Sequence, residues 1–438
     1  MSEGKSTSRH PGFWVPTLYF AEGLPYALTM TVSVVLYKNL GLSNAAITFY
    51  TGWLYLPWVI KPLWSPLVDL LKTRRQWIWM MQLVIGAGLA SVALTIPTTH
   101  FFQMTLVFFW LLAFSSATHD IAADGFYLLA NSEHDQAFFS GIRNTCYRLA
   151  NMSAQGGMVM LAGKIYQRTG NYAHAWSISF GVVAWTVACL GIYHWLVLPK
   201  PAPDQPGGNP ELKTVRPVSD SAGRSFLDEF FLTFGTFFEK PGIITLLLFL
   251  LVYRLGEAQL VRMVQPFLLD PRLVGGLGLD NVQVGFAYGT VGVASLVFGG
   301  LLGGFVVSRQ GLKFWLWPML LAIHLPDAVF IWLAYTQPVS LHWIAAGVAV
   351  EQFGYGFGFT AFMMYMIYIA RGDHPTAHYA ICTGFMALGM MVPGQWSGWL
   401  QERLGYPHFF LWVVFATIPS FIVAARLPLD PEFGRRKS

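Results

Sequence analysis

Apolar residues fall along this chain in long blocks separated by short polar connections. Blocks near 13–37, 44–68, 77–97, 103–129, 138–162 and 174–198 are followed by a second series near 243–267, 282–307, 313–335, 342–370, 377–400 and 408–426. A helix needs about 20 such residues to cross a hydrocarbon core of roughly 30 Å. Backbone in lipid must satisfy its own hydrogen bonds, so the blocks are predicted to be helices. The pattern implies an all-α polytopic membrane protein with about 12 transmembrane helices in two six-helix halves.

One long polar stretch interrupts the blocks. Pro199 to Arg224 is rich in Pro, Gly, Asp and Ser and reads as a flexible linker. Phe226 to Glu239 then carries an aromatic stripe with few charges, which suits a helix lying on the membrane surface. The expected organisation is an N-terminal bundle over 1–198, a linker with this amphipathic helix over 199–242, and a C-terminal bundle over 243–438.

The two series share a signature. Leu40-Gly41-Leu42-Ser43-Asn44 is echoed by Leu277-Gly278-Leu279-Asp280-Asn281, with Ile47 matching Val284 and Phe49 matching Phe286 further on. Each copy follows one apolar block and opens the next, and Ser43 and Asp280 both suit a helix N-cap. In so apolar a chain the echo reads as two fused copies of one membrane unit, the architecture of secondary transporters.

Composition agrees. Hydrophobic residues make up 55% of the 438 and charged residues 11%, against about 25% charged in soluble domains. A soluble fold would leave these faces bare to water. The net charge of +5 is no nucleic-acid signal, because the basic residues sit in the connections. Cys146, Cys189 and Cys382 lie inside apolar blocks without metal-ligand spacing, so packing roles are expected, with no metal or cofactor. Met1 to Gly12 leads into the first block without a small-residue cleavage site, and an uncleaved first span is expected.

Lysine and arginine set the orientation. One side would hold Lys5, Arg9, Lys72, Arg74, Arg75, the linker's bases, Arg309, Lys313, Arg371 and the C-terminal cluster. The other would hold only Lys38, Lys164, Arg168, Arg272 and Arg403. Both termini and the linker are therefore expected in the cytoplasm.

After the second block stands Lys61-Pro-Leu-Trp-Ser-Pro-Leu-Val-Asp69, followed by Lys72, Arg74 and Arg75. At the equivalent point of the second half stands Gly303-Gly304-Phe-Val-Val-Ser308-Arg309-Gln-Gly311-Leu-Lys313. Both resemble the loop between spans two and three of the major facilitator superfamily, where small residues let helices approach and an acid followed by bases locks the cytoplasmic gate. The resemblance implies gate roles for Asp69, Arg74, Arg75 and Arg309, and Arg371 is grouped with them. The second copy has Ser308 in place of the acid, which argues against a symmetric lock. The other reading is that these bases only set topology.

The blocks also contain charges. A centrally placed Asp, Lys or Arg costs roughly 2.5–3.5 kcal/mol on insertion scales, so it normally faces a cavity or a partner. The acids are Glu22, Asp120, Asp124, Glu257, Asp327 and Glu351, and the bases Lys61, Arg143, Arg148, Arg254 and Arg262. Asp120 and Asp124 lie one turn apart on one face of span four, a reasonable proton carrier unless a cation intervenes. His119 could share the task, although an adjacent helix position points to a different face. Arg254 and Glu257 are three apart, suiting either a pair within one helix or a substrate contact. Arg262, near the outer end of span seven, is expected to reach the interface.

Aligning Ile142–Leu149 with Ile381–Leu388 puts Cys382 opposite Arg143 and Ala387 opposite Arg148, so the second half lacks both cations. An asymmetric cationic lining suggests a substrate with carboxylate or phosphate, which guanidinium groups bind bidentately. Neutralisation of Asp120 and Asp124 by the neighbouring helix is the other reading, and both can hold in turn. Tyr147, Gln155 and other aromatic or polar residues such as Trp53, Tyr55, Tyr355 and Gln395 could line a cavity and stack on sugar rings, or simply pack.

These residues carry a more specific resemblance. Lys61-Pro-Leu-Trp-Ser-Pro-Leu-Val-Asp69, Thr118-His-Asp-Ile-Ala-Ala-Asp124, Tyr147-Arg-Leu-Ala150, Phe237-Phe-Glu-Lys-Pro-Gly242 and Glu351-Gln-Phe-Gly-Tyr-Gly-Phe-Gly-Phe-Thr-Ala-Phe362 look like the AmpG-type muropeptide permeases. The related acetyl-coenzyme A transporters share parts of the pattern. The resemblance implies proton-driven import of N-acetylglucosaminyl-1,6-anhydro-N-acetylmuramyl peptides across a bacterial inner membrane. By position, Asp120 and Asp124 take over the family's span-four acids, Arg148 its span-five arginine, Lys61 its span-two lysine and Glu351 its span-ten acid. Glu22 is grouped with the proton-coupling acids. His119 stands where members often have Gln, Ala150 where they have Gly, and the two extra spans of some members are absent; the exact sugar turns on such differences.

A membrane enzyme is the rival from another class, with His119 and Asp120 as an acid–base pair. The repeated halves and the lack of a sizeable polar loop with clustered catalytic residues oppose it. Within transport, a sugar acid, an oligosaccharide or acetyl-coenzyme A are the alternative anionic solutes.

Overall fold

The computed structural model describes residues 10–201, 204, 234–371 and 375–435. A helix stands at each predicted block. In the first series these are α1 (Pro11–Asn39), α2 (Asn44–Gly52, through Trp53–Tyr55, to Leu56–Leu71), α3 (Arg74–Thr95), α4 (Phe101–Ala130), α5 (Glu133–Met152, Ser153–Met158, Val159–Thr169) and α6 (Tyr172–Val197). In the second they are α7 (Ile243–Leu269), α8 (Asn281–Gln310), α9 (Leu312–Thr336), α10 (Leu341–Ile369), α11 (375–404) and α12 (406–424). Gly405, at φ 71°, parts the last two. No strand occurs among the described residues.

By length and composition alone, eight helical stretches are apolar enough to cross a membrane, one of them running through both α11 and α12. Helices α2, α5 and α10 fall outside that set. The first is broken at Trp53–Tyr55, and the other two mix charged and small polar residues into their apolar faces. Of the expected surface helix, residues 226–233 lie outside the described residues, and 234–238 are helical. The linker lies outside them too, apart from its first residues and Asp204.

The repeated motif is a helix stop followed by a helix start. Gly41 and Gly278 hold φ of 86° and 66°, a left-handed conformation that glycine adopts without Cβ strain. Ser43 then accepts the Ala46 amide at 3.2 Å, and Asp280 accepts the Gln283 amide at 2.8 Å. Both expected N-caps are present.

The described residues form two compact units. One holds those within 1–29, 60–154 and 165–223, and the other those within 30–59, 155–164 and 224–438. Helix α1 leaves the first unit between Thr29 and Met30, inside a π-helical turn at Leu28–Val32. Helix α5 does the same between Ala154 and Gln155, inside the π-helical turn Ser153–Met158. Such turns break the regular hydrogen-bond ladder and frequently mark functional sites.

In the first unit, α1 packs on α5 and α3 on both α4 and α6. In the second, α8 packs on α10 and α7 on α11. The first part of α2 also packs on α11, where a Cβ added at Gly398 would meet the Asn44 carbonyl at 2.0 Å. Arg262 departs from its expected interfacial position. It is 2% exposed, lies over the Tyr55 ring, and donates to the Met30 carbonyl at 3.3 Å and to Thr51 Oγ1 at 3.2 Å. A guanidinium inside the bundle finds these acceptors more readily than it could reach the interface.

Candidate functional site

Three acids converge in the first unit. Gly23 on α1 would place a Cβ 2.7 Å from the Tyr147 carbonyl of α5, so only a bare backbone lets the two helices close. That approach sets Glu22 beside Asp120 and Asp124 of α4, and one carboxylate oxygen from each lies within 4.8 Å of the others. Lys61 of α2 forms an ion pair with Asp120. Arg143 of α5 pairs with Asp124 at 3.1 Å, and Tyr19 donates to the same oxygen at 3.2 Å. The Arg143 guanidinium also lies over the Tyr19 ring at 4.6 Å and the Tyr127 ring at 5.4 Å.

The charges nearly balance. Two cations face three carboxylates, leaving Glu22, which is 7% exposed and has Oε2 without a hydrogen-bond partner. Glu22 is thus the member of the group without a cation in contact among the described residues. Lys61 therefore stands within the acid group as the partner of Asp120.

Arg148 is half-buried on α5 and makes no ion pair among the described residues. Tyr147 stands beside it on the same helix. Gln155 belongs to the second unit, where a Cβ at Gly289 of α8 would come 2.3 Å from its carbonyl oxygen. The structure therefore does not bring Gln155 into one unit with the two arginines.

His119 is 1% exposed and turned into a separate chain of hydrogen bonds. Its Nε2 meets Gln82 Nε2 at 2.8 Å, Gln82 Oε1 meets His194 Nδ1 at 2.7 Å, and His194 Nε2 meets Thr17 Oγ1 at 3.0 Å. The different face expected of an adjacent helix position is the one it occupies.

At the gate motif, the side chain of Asp69 lies outside the described residues. Thr73 caps α3 through a reciprocal bond with Gln76. The amides of Arg74 and Arg75 donate to Asp204 at 2.7 and 3.1 Å. Burial pushes the Asp204 carboxyl above its ordinary range, and these two hydrogen bonds pull the other way. The Arg74 guanidinium lies where a Cβ at Gly125 of α4 would stand. Arg309 is exposed over the Phe305 ring, and Arg371 is exposed over the rings of Tyr368 and Phe433. Neither makes an ion pair to an acid among the described residues, in keeping with Ser308 at the acid's place.

A second acid group lies in the second unit. Glu257 of α7, Asp327 at the break in α9 and Glu351 of α10 are each 1% exposed, with one oxygen from each mutually within 4.8 Å. Arg254, one turn before Glu257, does not pair with it; it donates to Tyr355 Oη at 2.5 Å and lies over Tyr355 and Phe359.

Sequence reasoning missed a polar network within the second unit. Lys38 pairs with Asp270 at 2.5 Å, and Asn44 donates to Asp270, Gln401 and Tyr406 at 3.2, 2.7 and 3.1 Å. The available signal was the repeated motif itself, whose last residue is buried in both copies: Asn281 donates to Asn39 at 2.6 Å.

The family model described as Major Facilitator Superfamily matches residues 17–394. The chain is 24% identical to a protein named "Putative transporter AmpG 4" from Rickettsia conorii, over 94% of this chain and 95% of that one. It is 26% identical to the anhydromuropeptide permease of Escherichia coli K12, over 93% of this chain and 77% of that one. Among solved structures, a bacterial homologue of the human lysosomal transporter Spinster superposes with a TM-score of 0.65 at 17% identity, covering 96% of each chain. By this match over most of its length, the chain belongs to the Major Facilitator Superfamily, a family of membrane transporters.

Proposed function

We propose that this protein is a proton-coupled symporter importing an anionic, sugar-containing solute, an anhydromuropeptide before others, from periplasm to cytoplasm. Transport would proceed by alternating access, with both termini and the linker on the cytoplasmic side of an inner membrane. Asp120, Asp124, Glu22 and Glu351 serve proton coupling. Arg143, Arg148, Lys61, Arg254, Glu257, Tyr147 and Gln155 contact the solute as the cycle proceeds, and Asp69, Arg74, Arg75, Arg309 and Arg371 belong to the cytoplasmic gate.

One observation carries the anionic substrate. Arg143 is engaged by Asp124, whereas Arg148 on the same helix has no acid partner among the described residues. A guanidinium held in a membrane helix without a carboxylate is matched by one that a ligand brings, and a muropeptide's lactyl and peptide groups supply it. The Escherichia coli relative named anhydromuropeptide permease supports that choice of solute.

The test is uptake by purified protein in liposomes under an inward proton gradient, with labelled anhydromuropeptide and, separately, acetyl-coenzyme A. Gradient-dependent uptake of the muropeptide alone is expected. Uptake of acetyl-coenzyme A instead, or of neither by folded protein, rejects the solute. Asp120→Asn and Asp124→Asn should abolish accumulation while leaving counterflow, and unchanged accumulation in both sinks their coupling role.

A further inference from the structure

The two acid groups differ in what faces them. In the first unit, Asp120 and Asp124 each have a cation in contact. In the second, no ion pair to Glu257, Asp327 or Glu351 occurs among the described residues. Both oxygens of Glu257 and both of Asp327 are buried without any hydrogen-bond partner. Glu351 accepts only from its neighbour Gln352, at 3.0 and 3.2 Å. The unpartnered oxygens of Asp327 thus approach two further carboxylates within 4.8 Å in a site almost closed to solvent.

Among the described residues no cation is in ion-pair contact with the three carboxylates, and the nearby polar groups are engaged elsewhere. Arg254 is engaged by Tyr355 Oη and two rings, and Arg262 by Met30 and Thr51. His324, one turn before Asp327, meets Ser420 Oγ at 2.9 Å. Tyr288 on α8 lies within electrostatic reach of Glu351 and Glu257 and brings no positive charge. Three buried carboxylates so close together, with no cation in contact and a single arginine near Glu257, are tolerable only when protons or another cation occupy them.

We propose that Glu257, Asp327 and Glu351 form a second proton site, so that the second half of the chain carries a coupling proton of its own. Uptake forms an O–H bond at one carboxylate oxygen and release breaks it, with no other bond changed. Each of the three comes from a different helix, Glu257 from α7, Asp327 from α9 and Glu351 from α10. The occupancy stands independently of the solute; its role in transport rests on the coupling proposed above.

Infrared difference spectra of the full-length protein in nanodiscs, in ordinary and heavy water, read protonated carboxyl groups directly. Wild type should show a buried carboxylic acid C=O band at neutral pH. Asp327→Asn and, separately, Glu351→Gln should each lose part of it, while Glu22→Gln retains the share belonging to the triad. Asp327→Asn should also lose gradient-driven accumulation while keeping counterflow. Absence of the band in wild type, or its persistence unchanged in both triad variants, overturns the proposal. So does loss of the band on adding sodium or calcium, which would give the site to a metal ion. Failure of the muropeptide reading would instead appear as absent uptake by wild type with the infrared result intact.

Discussion

Lys38 at the end of α1 and Asp270 at the end of α7 meet at 2.5 Å, with side chains only 16% and 10% exposed. Asp270 Oδ2 also accepts from Tyr406 at 2.6 Å and from Asn44 at 3.2 Å. One carboxylate thus ties together α1, α2, α7 and α12 within the second unit.

Removing that carboxylate should cost more than removing its cation. Asp270→Leu takes the shared acceptor from Lys38, Asn44 and Tyr406 and leaves the Lys38 charge without its carboxylate, whereas Lys38→Met leaves Asp270 two hydrogen bonds. A coupling energy of about 1–3 kcal/mol is expected between the two positions. Thermal or denaturant stability of the two single variants and the double variant measures it. Simple additivity would show that the pair contributes nothing beyond its separate parts.

Arg143 and Arg148 should separate in kinetics. Arg143 neutralises Asp124, so Arg143→Lys should lower stability and accumulation together. Arg148→Lys should raise KM by about tenfold with stability unchanged, because a bidentate anion contact is replaced by a point charge. Equal effects of both on KM would remove the distinction.

Two neighbouring glycines on α8 should respond oppositely. A Cβ at Gly303 would stand 2.6 Å from Thr360 Oγ1 and 3.0 Å from the Phe357 carbonyl, while one at Gly304 meets nothing within 4 Å. Gly303→Ala should destabilise by about 1–3 kcal/mol through overpacking. Gly304→Ala should be neutral, or stabilising by up to about 1 kcal/mol from helix propensity. Melting curves of the two variants decide.

His119 belongs to a structural chain and stands apart from the acid group. Gln82→Leu strips a partner from both His119 and His194 and should cost about 1–3 kcal/mol for each group left unsatisfied. His119→Gln should leave the pH profile of uptake where it was. A shifted profile in that variant would bring the imidazole into proton transfer after all.

Much of the architecture was legible in one dimension. The apolar blocks mark the twelve long helices among the described residues, because crossing lipid demands length and composition, and both are written locally. The Ser43 and Asp280 caps were equally legible, since a cap bonds to an amide only three residues away. The acids and bases of the interior could also be named in advance, because charge in an apolar block is conspicuous.

Partnership was legible only in part. Neutralisation of the span-four acids by the next helix was one of two readings, and Arg143 of α5 does pair with Asp124, whereas nothing in the spacing pointed to Lys61 of α2 as the partner of Asp120. The same spacing suggested Arg254 for Glu257, yet the tertiary structure turns Arg254 to Tyr355 and gathers Asp327 and Glu351 around Glu257 instead. Arg262, expected at the interface, is drawn inward by acceptors on α1 and α2. The sequence alone determined that there are membrane helices, where they start, and which of them carry charge. Which charges are neutralised depended on contacts between helices far apart in the chain, and only the packing of the bundle decides those distances.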